Sequence, residues 1–354
     1  MIDNCSLSRG HWPETRNSGW MTEEYQQGLV SVIVPTYNRA DLLPAALDSV
    51  YSQTHRPIEL LVVDDGSTDV TPGVLREWTA VHEEASFEVR TYRQPNSGAP
   101  AARNLGLIES RGQFIQLLDS DDVLHPEKLG AHVSLLKAYP ESDFVWSPIF
   151  YFETAAELEE EIDRGRHCSV STTGKVTRPE NAANPVTTLM RRSVYRTAGP
   201  WNEDLPRWQD WEYAFRLYML GPKYLSTEAS YYFVRFHDRG RIGDLTGSEE
   251  GTSANLKALQ AIEDLGSWQE NPDAVRTIRG LYTKTLRMAL HHGSDGKVEA
   301  CIDGLQSHTR STGDWLRSNG FSLLWRIAGR TVCRFLMERH FQRLNNREEQ
   351  GNAR

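Results

Sequence analysis

Phe114-Ile115-Gln116-Leu117-Leu118-Asp119-Ser120-Asp121-Asp122 is the stretch on which the reading of this chain turns. An apolar run that ends in acidic side chains describes a buried strand delivering carboxylates to its carboxyl end. Hard divalent cations prefer such oxygens and often share them with substrate phosphates. In extended or turn geometry residues i and i+2 project to the same side, so Asp119 and Asp121 can face one ion. The competing structural reading makes these acids mere caps for a helix near Pro126. A calcium-binding EF-hand loop is excluded, because Val123 and Leu124 stand where it needs an acidic ligand and a glycine.

Working outward, the chain alternates short apolar runs with amphipathic stretches. Runs at 30–35, 58–64, 87–92, 114–119 and 144–152 read as strands, and the second and fourth are apolar nearly throughout, as strands covered on both faces are. Leu43, Leu47 and Val50 fall on one helical face behind a candidate cap, Asp41. Thr71-Pro72 and His125-Pro126 open further helices. This alternation predicts a mostly parallel sheet between helices, with the ligand crevice beyond the carboxyl ends of the strands. Pro35, Asp64 and Asp119 all end strands and are expected on one rim. Residues 153–184 break the rhythm with an acidic cluster (Glu157, Glu159, Glu160, Glu161, Asp163) and a polar run, either a solvated helix and loop or a flap over the site. A strand is expected over 186–190 and a helix over 210–220. Beyond Gly251 the chain reads as wholly helical.

Bulk properties narrow the function. The chain has 354 residues, 39% hydrophobic and 25% charged, which suits a folded globular protein. A formal net charge of −9 argues against a nucleic-acid binder, which needs a basic surface. Cys5, Cys168, Cys301 and Cys333 are too scattered for a metal site and read as reduced thiols, the usage of a cytoplasmic protein. No run approaches the ~18 apolar residues of a membrane span, and residues 1–28 lack the apolar core of a signal peptide. They read as a loose tail, with Trp12 and Trp20 available to pack on the body.

Two more clusters carry chemistry. Asp64-Asp65-Gly66-Ser67-Thr68-Asp69 closes the second strand; it is either a turn and helix cap or a carboxylate set to accept a hydrogen bond from a nucleobase or ribose. Asn96-Ser97-Gly98-Ala99-Pro100-Ala101-Ala102-Arg103-Asn104-Leu105-Gly106 is a helix start built of small residues, which lets an anion approach the helix N-terminus, with Arg103 adding a planar donor fork.

Together with Val32-Ile33-Val34-Pro35-Thr36-Tyr37-Asn38-Arg39, these stretches resemble glycosyltransferase family 2 over residues 29–240, with four blocks in the family's order and spacing. The resemblance implies the GT-A fold, a Rossmann-like mixed α/β sheet flanked by helices. It implies a catalytic domain at 29–245, with a nucleotide-sugar half (29–125), a variable segment (153–184) and an acceptor half (185–240), followed by a helical region at 246–354. It further implies a nucleotide-sugar donor, UDP by family habit, and Mg²⁺ or Mn²⁺. Pro35, Tyr37, Arg39, Asp65, Arg103 and Asp119 would line the donor site, with Tyr37 stacking on the base. Asp121 would be the main metal ligand, with Asp119 and His237 as partners. The acceptor-side acidic pair is Gln209-Asp210 here, so an amide replaces its first member. Asp210 is left as the general base, with Glu212 ranked second, and a single displacement with one base would invert the anomeric carbon. Trp201, Trp208 and Trp211 either stack on sugars or belong to the core. The acceptor would be a carbohydrate, lipid-linked or other hydroxyl compound of cell-envelope polysaccharide or glycoconjugate synthesis.

Residues 323–336 read as a helix with an apolar side and Arg326, Arg330 and Arg334 opposite. It is either docked on the protein or laid on an anionic membrane, which would put the protein at the inner membrane face. The rival function is a haloacid-dehalogenase-like phosphatase, whose nucleophile motif Asp119-Ser120-Asp121-Asp122-Val123-Leu124 also fits. A non-catalytic carbohydrate-binding relative would have no use for Asp210. Donor sugar, linkage and oligomeric state are not legible.

Overall fold

The computed structural model describes residues 20–82, 84–164, 170–176, 185–236 and 248–308, with isolated positions 322, 325 and 333. The chain divides into two compact units, 1–239 and 240–354.

Among the described residues, the first unit is built on an eight-stranded sheet in the order β3-β2-β1-β4-β9-β6-β10-β8. The strands are β1 (Gln26–Thr36), β2 (Ile58–Asp64), β3 (Phe87–Arg93), β4 (Gly112–Leu117), β6 (Phe144–Trp146), β8 (Val170–Lys175), β9 (Leu189–Arg191) and β10 (Lys223–Thr227). β1 runs parallel to both β2 and β4, β2 to β3, and β6 to β10; β9 and β8 run antiparallel to their neighbours. The expected mixed, mostly parallel sheet is what forms. Chain order moves outward from β1 to β2 and β3, then returns to β1's other side with β4. That reversal opens a crevice beyond the carboxyl ends of β1 and β4.

The strands run where their apolar periodicity requires. Every residue of β2 is buried, as expected of a strand covered by helices on both faces. One face packs on α1 (Leu43–Tyr51) and α2 (Thr71–His82), and the other takes up α3 (Ala99–Glu109) and later helices. Gly106 of α3 is a point of closest approach: a Cβ there would stand 2.3 Å from Cγ2 of Ile33. A methyl group does not fit, so the glycine lets α3 seat on β1.

Several expectations need adjusting. The apolar run 144–152 is two strands, because β7 (Ile149–Phe152) leaves the main sheet to join β5 (Val123–Leu124) and β11 (Tyr232–Arg235) in a small sheet. Asp41 does not cap α1, whose N-cap is Leu42 without a side-chain bond. At α2 the Asp69 carboxylate accepts from the Thr71 N–H, while the Thr71 hydroxyl accepts from the Arg39 N–H. The segment 186–190 is a 3-10 turn, Pro185–Thr187, followed by β9. Ordered structure also starts before residue 29: β1 begins at Gln26, Met21 is buried, and Trp20 donates to the carbonyl of Arg196. Trp12 lies outside the described residues. The acidic cluster forms α5 (Ala155–Asp163), opened by a capping box of Thr154 and Glu157. The acceptor side adds α6 (Arg192–Ala198) and α7 (Gln209–Leu220).

Among its described residues the second unit is helical, with α8 (Glu249–Asp264), α9 (Pro272–His292) and α10 (Asp295–Ser307). Asn271 caps α9, and Glu263 joins Tyr282 to His308. Among the described residues no helix is long and apolar enough to cross a membrane. The expected basic amphipathic helix over 323–336 lies outside them, isolated positions apart, as do Cys5 and Cys168; Cys301 and Cys333 are buried free thiols.

Candidate active site

Four loops meet at the crevice. The first two, after β1 and β2, are laced together. Asn38 adopts a left-handed backbone with φ 50°, and its carboxamide oxygen accepts from the N–H of Thr68 and of Asp69. The Asn38 N–H donates to the Ser67 hydroxyl, and the Asp65 N–H to the Thr36 carbonyl. These bonds hold Pro35 buried and leave Tyr37 41% exposed beside the rim, a usable stacking face.

Asp65 has a role that its sequence context hides. One oxygen accepts from Gln94 Nε2 at 2.7 Å and from the Ser97 N–H at 2.8 Å; the other accepts from the Gly98 N–H at 2.8 Å. The protein's own carboxylate therefore sits at the entry to α3, where the small residues led us to expect a ligand anion. A carboxylate has about four acceptor positions, so some capacity remains for a base. Gly66 takes φ 79° beneath this loop, and a Cβ there would stand 2.8 Å from the Asn96 nitrogen. Asp64 points inward: Oδ1 accepts from the Ser67 N–H and Oδ2 lies 3.6 Å from Arg93.

In the acidic loop after β4, each carboxylate meets a different environment. Asp119 Oδ1 accepts from Arg103 at 2.9 Å, and Asp121 Oδ2 lies 3.7 Å from Arg39 Nε. Asp122 is buried and accepts from the Arg235 N–H at 3.1 Å and from the Tyr232 hydroxyl. Burial, followed by the charges of Asp119 and Asp121, pushes its pKa well above the carboxylate range. The Tyr232 hydroxyl also accepts the Asp119 N–H at 3.2 Å. Through Asp122 and Tyr232, β11 braces the loop that presents Asp119 and Asp121.

The fourth loop comes from the acceptor side. Trp208, at φ 56°, turns the chain into α7 and accepts the N–H groups of Trp211 and Glu212. Gln209 and Asp210 follow at the helix start. Asp210 Oδ1 is buried without a hydrogen-bond partner. Burial raises its pKa to about 6; the Arg103 charge works against the rise and that of Asp119 adds to it. Arg103, only 5% exposed, donates to Asp119 and, at 3.0 Å, to Gln209 Oε1, with its guanidinium 4.8 Å over the Trp201 ring. Burial opposes its charge, but Asp119 and Asp210 outweigh that and raise its pKa. Glu212, the second-ranked base, is buried in an ion pair with Arg216, which also donates to the carbonyls of Ala198 and Pro200. That binding removes it from the crevice.

The fold thus brings Arg39 to Asp121 and Arg103 to both Asp119 and the start of α7, with Pro35, Tyr37 and Asp65 along the same rim. His237 lies outside the described residues. Among those residues no group of three or more His, Cys, Asp and Glu side chains encloses a metal position. Trp201 is core, 1% exposed and stacked on Tyr213, so it is not a sugar platform; Trp208 and Trp211 are half-buried. Sequence reasoning missed Asn104, whose side chain bonds both the N–H and the carbonyl of Trp201 and also Glu203. Nothing in the block around it marks that residue as a clamp.

Comparison with known proteins agrees with this architecture. Residues 31–198 match the family model described as "Glycosyl transferase family 2". A putative teichuronic acid biosynthesis glycosyltransferase, TuaG of Bacillus subtilis, is 40% identical over 101 residues, 28% of this chain and 39% of that protein. An uncharacterized glycosyltransferase of Rickettsia felis is 38% identical over 122 residues, 34% of this chain and 19% of that protein. The matches thus span well under half of these relatives. Residues 1–349 of S. aureus TarS in complex with UDP-GlcNAc superpose with a TM-score of 0.60 at 17% identity, covering 88% of this chain and 91% of that one. The mannosyltransferase PcManGT from Pyrobaculum calidifontis, in complex with GDP-Man and Mn²⁺, gives 0.51 at 18% identity, covering 87% and 84%. Neither likeness extends beyond the fold. The phosphatase alternative finds no support in these matches.

Proposed function

Residues 31–198 form a glycosyltransferase family 2 domain, and from that premise we propose that the chain moves a sugar from a UDP-sugar to an acceptor hydroxyl, inverting the anomeric carbon. The observation that carries this reading is the state of Asp210: a half-buried residue whose carboxyl pKa is raised to about 6, with one buried oxygen without a partner and the charge of Arg103, which bonds Gln209 and Asp119, close by. A general base works best when its pKa lies near the working pH and an acceptor atom is open toward the substrate. In the proposed step Asp210 takes the hydroxyl proton as the acceptor oxygen forms its bond to C1. The bond from C1 to the diphosphate breaks on the opposite face, and the electron pair leaves with UDP.

On the donor side, Tyr37 stacks on the base over Pro35, and the remaining acceptor capacity of Asp65 meets a base or ribose donor. Arg39, beside Asp121, serves the diphosphate. A Mg²⁺ or Mn²⁺ ion, when bound, neutralises charge on the departing diphosphate. Asp121 and Asp119 fit that ion: they are hard oxygen donors, and one or two carboxylates suffice when phosphate oxygens complete the shell. His237 is the expected third partner. The TarS complexes with UDP and UDP-GlcNAc support a UDP-sugar, and the PcManGT complex supports a cation. TuaG supports an acceptor from cell-envelope polysaccharide synthesis, carbohydrate or lipid-linked.

The test is a thermal-shift screen of UDP, GDP, UDP-sugars and GDP-Man with and without Mn²⁺, followed by measurement of nucleotide release. UDP with Mn²⁺ is expected to raise Tm, and Asp121→Ala to remove that rise. If no nucleotide stabilises the wild-type protein and no nucleotide sugar is consumed, the reading fails.

A further inference from the structure

Arg103 stands in a block that suggested a nucleotide contact, yet both terminal nitrogens of its guanidinium are engaged inside the protein, and the buried Nε has no hydrogen-bond partner. One nitrogen donates to Asp119 and another to Gln209, its face covers Trp201, and the residue is 5% exposed. The next residue, Asn104, holds the backbone of Trp201 in both directions and takes Glu203 as well. Two consecutive residues of α3 therefore grip the segment that leads into α7. The entry to α7 needs that grip, because Trp208 is a bulky residue in the left-handed region, a conformation that persists only when its surroundings impose it. Gln209 is the first residue after that turn and Asp210 the second.

We propose that Arg103 is a positioning residue: through Gln209 it fixes the direction of Asp210, and through Asp119 it ties that direction to the donor-side loop. This rests on the assignment of Asp210 as base. The amide at 209 suits the role. Its oxygen accepts the Arg103 hydrogen bond without adding a second negative charge beside Asp210, so the guanidinium charge remains shared between Asp119 and Asp210. A leucine at 209 would keep the volume and lose the acceptor, leaving the Arg103–Asp119 bond intact.

Three variants test this: Gln209→Leu, Arg103→Met and the double variant. The readouts are UDP release from the UDP-sugar that the wild type consumes, UDP affinity by calorimetry with Mn²⁺, and hydrogen exchange of amides 208–213. Each single variant is expected to lower kcat at least tenfold with UDP affinity within about twofold of wild type, and Arg103→Lys to recover part of the loss. The double variant should be no worse than Arg103→Met, as for two residues acting through one contact. Exchange at 208–213 should quicken in Gln209→Leu. UDP affinity falling in step with kcat/KM would make Arg103 a nucleotide contact and overturn the proposal; multiplying effects in the double variant would do the same. Absence of any wild-type turnover would sink the proposed function instead. In that event exchange still decides: unchanged protection of 208–213 in Gln209→Leu refutes the positioning role.

Discussion

Replacing Asp210 by asparagine should make the protein more stable and nearly inactive. The carboxyl is raised from its ordinary 3.8 to about 6, first by burial. At ~1.36 kcal/mol per pH unit this corresponds to about 3 kcal/mol of disfavoured ionisation. The sign follows from proton linkage: the folded state holds this proton more tightly than the unfolded chain does. The penalty is therefore absent below pH 3.8, accumulates between 3.8 and 6, and is complete above 6. Urea denaturation of wild type and Asp210→Asn at pH 7.5 should show the variant ahead by about 1–3 kcal/mol, the upper end being the full penalty; by pH 4 the gap should fall below about 1 kcal/mol. Turnover should drop by about 10²–10⁴, the usual worth of a general base. Wild-type kcat should itself fall about tenfold per pH unit below about 6. A variant less stable than wild type at pH 7.5, a gap that ignores pH, or turnover within tenfold of wild type would each refute the reasoning.

Asp65→Ala removes the acceptor of three hydrogen bonds that hold residues 94–98; it should cost about 2–4 kcal/mol by urea titration and weaken UDP binding, and a loss under about 0.5 kcal/mol would contradict the clamp. Glu212→Gln leaves the buried Arg216 charge uncompensated and should cost about 2–4 kcal/mol while changing kcat of the folded protein less than tenfold; the reverse pattern would name Glu212 as the base. Gly106→Ala drives a methyl against Ile33 Cγ2 and should cost about 1–3 kcal/mol. Adding Ile33→Ala, which leaves Cβ at 3.4 Å, should make the pair less damaging than the sum of its parts in a double-mutant cycle.

The parallel sheet was legible because its strands are buried on both faces and announce themselves as continuous apolar runs; β2 appears at the boundaries that its composition marks. The run 144–152 misled because Ser147 and Pro148 hide a change of sheet between β6 and β7, and composition does not say which partner a strand will take. Caps failed for a related reason. Asp41 and Thr71 carry the right chemistry, but the tertiary contact from Arg39 claims the Thr71 hydroxyl first. In the site, Asp119, Asp121 and Asp210, singled out for their local chemistry, fall around the crevice. What could not be read was pairing. The Asp65 turn and the Gly98 helix start each look like half of a ligand site, and in the fold they are largely halves of one another.

That pairing logic also bears on the charge around the crevice. Four carboxyls, at Asp119, Asp121, Asp122 and Asp210, stand with the guanidiniums of Arg39 and Arg103. Were all four ionised, two negative charges would remain; burial first, and neighbouring carboxylates after it, raise the pKa of Asp122 and Asp210. Asp119 and Asp121 pair with Arg103 and Arg39 at the rim. On the proposed reading, a divalent cation would match the negative charge that a donor diphosphate adds beside these oxygen donors. On the proposed reading the acidic loop and Asp210 form one electrostatic unit, in which a cation would accompany the diphosphate and Arg103 would hold the base apart from them.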